Sequence, residues 1–161
     1  MPESRKQTKA EGAGDASGRE ETAAESKPVL KAEDLDERIR AALHAAGERK
    51  ALDLVVLDLR EVASFTDFFV ITSGTNVRQV QAIADAVEEH LRKDLRVKPA
   101  RVEGYNSAEW VLLDYGDFIF HVFEEKSRRF YDLERLWRDA ARVQLPEEPA
   151  RGGGGSLRTE R

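Results

Sequence analysis

EGYNSAEWVLLDYGDFIFHVFEE, residues 103 to 125, decides how this chain folds. Two apolar runs flank Gly116-Asp117, and a two-residue turn with glycine first signals a tight hairpin between antiparallel strands. With Tyr115 and Phe118 flanking the turn, the register sets Trp110 opposite Phe123, Leu112 opposite His121 and Asp114 opposite Ile119. Alternation along a strand then puts Trp110, Leu112 and Asp114 on one face and Val111, Leu113 and Tyr115 on the other. The stretch carries six acidic residues and no Lys or Arg. A face that joins a Trp to carboxylates suits a basic partner.

On the N-terminal side of the hairpin, Leu54 to Leu59 is almost continuously aliphatic, the pattern of a strand covered on both faces, and Asp67 to Thr72 (DFFVIT) reads the same way. Val62 to Thr66 is too short for a helical crossover, so these two strands are expected to be antiparallel neighbours. Ser73-Gly74-Thr75-Asn76 precedes Val77, Val80, Ala84, Val87 and Leu91 at helical spacing. Asn76 is the expected N-cap with Gln79 at N3, a variant capping box, and the helix should end near Asp94 to Arg96, ahead of Pro99. A strand over about 100–103 leads into the hairpin. A first helix is expected from Ala32 to Lys50, acidic early and basic late. A last one is marked by Phe130, Leu133, Leu136, Trp137 and Ala140, with Ser127 a candidate cap. The order αββαβββα predicts a single mixed β-sheet domain with flanking helices.

The 161 residues allow one domain of ordinary size. Residues 1–30 hold six acidic and five basic residues and no Ile, Phe or Trp, too little apolar surface to offset ordering, so a disordered extension is expected there. Pro146, Pro149 and Gly152 to Gly155 predict a flexible tail over 144–161, leaving 31–143 as the domain. Such a domain buries about 65% of its unfolded surface and needs no staple. With no Cys, disulfides and thiolate metal sites are excluded. No apolar run reaches the ~20 residues of a membrane helix and no signal-peptide core is present, so a soluble, cytoplasmic protein is expected. The net charge of -5 disfavours nucleic acid as the main ligand, leaving it incidental contact.

For chemistry the candidates are few. The SGTN loop is read first as turn and cap, with anion binding at the helix N-terminus as the alternative. A nucleotidyltransferase would need paired carboxylates for a divalent metal, and only Asp58, Asp114 and Asp117 offer themselves, with no Asp-x-Asp pair. Ser64, Thr66 and Asp67 read as loop-to-strand capping groups. Of His44, His90 and His121, the first two fall on solvated helix sides, and His121 in the hairpin reads as a hydrogen-bonded structural residue, not a general base. For Trp110, core and contact readings balance.

Three blocks, SFTDFFVITSGTNVRQVQAIAD (64–85), WVLLDYGDFIFHVF (110–123) and RRFYDLERLW (128–137), together with Glu103-Gly104 and the Phe120-His121 pair, resemble the ribosomal silencing factor, or Iojap, family over about residues 33–140. The resemblance implies a nucleotidyltransferase-like fold lacking catalytic carboxylates, no enzymatic activity and no cofactor. It implies binding to the large ribosomal subunit through its fourteenth protein, a basic protein of the intersubunit face. Joining of the small subunit would then be blocked sterically and translation damped when nutrients are scarce. It also implies a homodimer when free and a monomer on the ribosome. The family's contact surface carries over to Trp110, Asp114 and Gly116, then to Leu112, Tyr115 and Asp117. Glu103, Asn106 and Glu109 join them on charge and proximity.

Overall fold

The structure is a computed structural model that describes residues 29–146; residues 1–28 and 147–161, on which most of the expected extension and tail fall, lie outside the described residues. Its elements are α1 (Glu37–Glu48), β1 (Leu52–Asp58), β2 (Phe68–Gly74), α2 (Val77–Leu95), β3 (Arg101–Glu103), β4 (Trp110–Asp114), β5 (Phe118–Glu124), α3 (Glu125–Tyr131), α4 (Leu133–Leu136) and β6 (Ala141–Arg142). The strands form one mixed sheet in the order β3-β4-β5-β2-β1-β6. β1 and β2 are antiparallel, as their short connection requires. The hairpin has the expected register, Trp110 opposite Phe123, Leu112 opposite His121 and Asp114 opposite Ile119. The pairing that ties the two halves together is parallel, β2 against β5 from Phe68–Phe118 to Gly74–Glu124.

The sheet has two unequal faces. On one, Val56, Val70, Val111, Leu113, Phe118, Phe120 and Val122 pack against Ile39, Ala42, Val80, Ile83, Ala84 and Val87 of α1 and α2. On the other, Leu57, Phe69, Ile71, Ile119 and Phe123 are covered by the C-terminal segment through Leu133 and Ala140, with Trp110, Leu112 and Trp137 partly buried around them. The helical cover spans the sheet. The C-terminal one runs from β5 toward the β6 edge, so β4 and β3 at the opposite edge keep a partly open surface.

Several expectations need correction. The single helix from Ala32 to Lys50 is a 3-10 turn, Ala32–Asp34, followed by a break and then α1. Leu35 is extended and buried, and the Asp36 carboxylate accepts from the Arg38 backbone N–H at 2.6 Å, which starts a new helix. The Asn76 cap is as expected, accepting from Gln79 N–H at 2.8 Å. The reciprocal bond falls one residue earlier, since Gln79 Oε1 accepts from Thr75 N–H at 2.7 Å. The C-terminal helix is two short ones, interrupted at Asp132 in the left-handed region (φ 50). Its cap is Glu124, which accepts from the N–H groups of Lys126 and Ser127, so Ser127 donates where it was expected to cap. The break turns Phe130 and Leu136, helical core positions by spacing, out to solvent at 79% and 72% exposure. β6 was not expected. It pairs with β1, and backbone bonds between Leu30, Ala32 and Gln144 close the fold just beyond the 31–143 limits.

Candidate functional site

The hairpin tip is built by conformation and clamped by its neighbours. Gly116 sits at φ +90, where an L side chain is strained, and Tyr115 N–H donates to Phe118 O across the turn at 2.9 Å. The Asp114 carboxylate accepts from Gly116 N–H at 2.9 Å. Thr66 Oγ1 donates to Gly116 O at 2.8 Å, and Asp67 N–H donates to Asp117 O at 2.9 Å, so the SFTD loop grips the tip from β2. Arg38 of α1 adds an ion pair to Asp117 at 2.8 Å. At the other end Gly104 (φ +79) lies so close to β4 that a Cβ there would come within 2.1 Å of the Trp110 carbonyl oxygen. Glu124 N–H donates to Glu109 O at 3.0 Å and closes the loop beside Trp110.

β4 splits its side chains as alternation demands. Val111 and Leu113 are fully buried under the helices, while Trp110, Leu112 and Asp114 are half-buried on the opposite face. The indole of Trp110 lies 4.8 Å from the Phe123 ring and 4.8 Å from Tyr131. Its Nε1–H donates to His121 Nδ1 at 3.0 Å. Trp110 is therefore part core and part surface: one side packs and the rest meets solvent. Tyr115 parts from the other expected contact residues. It is buried on the helix-covered face, stacked on Phe118, and burial followed by the Glu88 charge pushes its phenol well above the usual tyrosine range.

The acidic character of this face is moderated by two arginines outside the stretch. Arg101 on β3 pairs with Glu103 at 2.7 Å and Asp114 at 3.3 Å, and Arg38 holds Asp117. Glu109 is exposed with no ion pair among the described residues, and Asn106 is exposed in the loop between β3 and β4. Exposed pairs are worth about 0–1 kcal/mol, so an incoming cation can exchange for Arg101 or Arg38 at small cost. Residues that the sequence did not mark extend the face. Phe65, 58% exposed, lies 5.9 Å from Trp137, and Phe130 lies edge-on to Tyr131 at 5.0 Å, continuing the aromatic surface from Trp110. Their signal was an aromatic excess in the first and third sequence blocks, hidden by a spacing that also fits a buried helix.

Among the described residues the carboxylates of the catalytic alternative do not converge. Asp58 and Asp114 are on β1 and β4, three strand spacings apart, about 14 Å at 4.8 Å each. Asp58 is held by Arg60 at 2.9 Å, and among the described residues no three His, Asp or Glu gather to hold a metal. In the SGTN loop Thr75 N–H donates to Gln79 Oε1 and the Asn76 Oδ1 accepts from Gln79 N–H, while Gln79 Nε2 donates to the Arg49 and Lys50 carbonyls. A cleft of about 980 Å³ lies elsewhere, between α1, β1 and the C-terminal segment, where Arg40, Arg129 and Arg142 are offset by Asp53, Glu125 and Glu134. His121, expected to be hydrogen-bonded, is so, and it is neutral: burial pulls its pKa down to about 3.

Fold and face define a mixed α/β domain whose distinguishing feature is a half-open aromatic surface with an acidic rim, seated on a gripped hairpin. The chain belongs to the RsfS family, described as ribosomal silencing factor during starvation, whose model matches residues 32–160. The ribosomal silencing factor RsfS of Halalkalibacterium halodurans is 38% identical over 109 residues, 68% of this chain and 92% of that protein. A mouse protein named mitochondrial assembly of ribosomal large subunit protein 1 is 33% identical over 95 residues, 56% of this chain and 40% of its own length. The crystal structure of a Chromobacterium violaceum protein, 34% identical, superposes with a TM-score of 0.61 over 70% of this chain and 90% of that one. Among the described residues no helix is long and apolar enough to cross a membrane.

Proposed function

We propose that the Trp110–Leu112 face docks this protein on the large ribosomal subunit and that the bound domain keeps the small subunit from joining. The observation that carries the reading is the half-exposed Trp110 beside Leu112, rimmed by Asp114, Glu103, Glu109 and Asp117, in a chain of the silencing-factor family. An aromatic anchor inside a polar rim is the pattern of an interface hot spot, and the carboxylates select a cationic partner. The fourteenth protein of the large subunit, basic and at the joining face, fits that chemistry. The name of the mouse relative points to the same subunit. Gly116 and Asn106 contribute through backbone shape and a polar edge; Tyr115 serves the core beneath.

The mechanism is steric and needs neither enzyme activity nor cofactor. A domain of ~110 residues bound at the joining face occupies the space the other subunit needs, and repression follows from its occupancy under nutrient limitation. In this reading the work is cytoplasmic and the free protein is a homodimer that gives way to a monomer on the ribosome. Sedimentation of purified large and small subunits with and without the protein tests this. The expected result is co-migration with the large subunit and loss of joined ribosomes. Undiminished joining at saturating protein contradicts it. Light scattering with added partner protein should show the free dimer converted to a one-to-one complex.

A further inference from the structure

His121 occupies a position that an apolar residue would fill more comfortably. It is 2% exposed, its ring meets Phe69 edge-on at 4.5 Å, and it stacks along Phe123 at 6.3 Å. Its Nδ1 accepts the Trp110 indole N–H, so in the neutral ring the single proton must sit on Nε2. That Nε2–H is buried and has no hydrogen-bond partner. An unpaired buried donor destabilises a fold, and Leu or Phe at this place would carry no such burden. The polar bond that the imidazole does make holds one residue only, and that residue is Trp110.

We propose that His121 is a positioning residue for the docking face, fixing the orientation of the Trp110 indole through Nδ1 while leaving its own Nε2–H unsatisfied. The inference rests on the reading of Trp110 as the docking anchor. Held between His121, Phe123 and Tyr131, the indole is set before the partner arrives, and less side-chain freedom is lost on binding. It also follows that the indole N–H is used inside the fold. What Trp110 offers a partner is carbon surface and ring face, a seat for an aliphatic stem or a guanidinium and not for a hydrogen-bond acceptor.

Stability and affinity should therefore move in opposite directions in two variants. His121→Leu removes both the acceptor and the orphan donor. Its melting temperature should hold or rise, while the Trp110 indole proton exchanges at least tenfold faster with solvent and affinity for purified large subunits falls about three- to tenfold. His121→Asn places an amide oxygen where Nδ1 stood but leaves a gap. It should melt lower and yet bind within about twofold of the original chain. With only two tryptophans, the indole resonances of Trp110 and Trp137 are separable by nitrogen-resolved NMR. The proposal is overturned if His121→Leu binds as tightly as the original chain while Trp110→Ala is impaired. It is also overturned if the unsubstituted protein, which needs no variant to fold, shows the His121 proton on Nδ1. If Trp110→Ala too binds normally, the docking reading itself has failed and this inference with it.

Discussion

Val111 and Leu113 share β4 with Trp110 and Leu112, and the two pairs are one residue out of phase. Val111 and Leu113 are sealed under α1 and α2 in a core that also holds Val80, Ile83 and Phe120. Trp110 and Leu112 face the opposite side, where the cover consists of the C-terminal segment, which shields β5, β2 and β1 and reaches β4 through Tyr131 against Trp110. One strand thus buries its odd-numbered residues in the core and leaves its even-numbered ones half-open, the face proposed for recognition. The difference arises from the helices, not from the hairpin: α2 is 19 residues long with a buried stripe from Val80 to Leu91, whereas Asp132 breaks the C-terminal cover into two short pieces. An apolar side chain therefore costs most to remove on the helix side, and on the proposed reading matters most to a partner on the other.

Substitutions on either side of β4 put this division to the test. Phe120→Ala, on the sealed side, should lower unfolding stability by about 3–5 kcal/mol, read by denaturant titration, and should reduce subunit binding only in proportion to the unfolded fraction. Gly104→Ala forces a methyl into the Trp110 carbonyl at a positive φ and should destabilise by about 2 kcal/mol or more, harming both properties because it displaces the start of β4. Acid should act through His121, whose pKa lies near 3 in the fold against about 6.5 in the unfolded chain. Between those values the unfolded chain binds a proton that the folded protein does not, so stability is full above about pH 6.5 and falls as pH drops toward 3. From pH 6.5 to 5 this residue should contribute a progressive loss on the order of 1–2 kcal/mol, and His121→Leu should flatten that part of the melting profile. Smallest of all, Asp117→Asn removes the exposed pair with Arg38, which keeps its bonds to Asp36, and should cost at most ~1 kcal/mol.

How far the fold was legible depended on the range of the interactions that build it. The hairpin, its register and the assignment of Trp110 and Leu113 to opposite faces follow from a two-residue turn and strict alternation, both local. The Asn76 cap and the end of α2 at Leu95 were legible for the same reason. The parallel pairing of β2 with β5 was not, because its partners lie some fifty residues apart and nothing in either strand specifies the other. Phe130 and Leu136 misled because their spacing with Leu133 and Trp137 fits one continuous helix, and the left-handed turn at Asp132 is set by tertiary docking. Arg128 shows that docking: its guanidinium reaches the Leu52 carbonyl, Ser73 Oγ and Glu134 together. Of the proposed site, Trp110 and its acidic neighbours could be named from sequence. The arginines that temper them and the histidine bonded to the indole were not legible, since Arg38, Arg101 and His121 meet these residues only across strands or from another layer.

If the even-numbered face of β4 is the docking surface, a charge placed at its centre must abolish docking and spare the fold. Trp110→Glu places it there, measured by co-sedimentation with purified large ribosomal subunits alongside a thermal melt of the same sample. The expected result is a protein that melts lower, having lost the packing of the indole on Phe123 and Tyr131, but is folded at the assay temperature and no longer travels with the subunits, a loss of about thirtyfold or more in affinity. A folded Trp110→Glu protein that sediments with large subunits as the original does would contradict it.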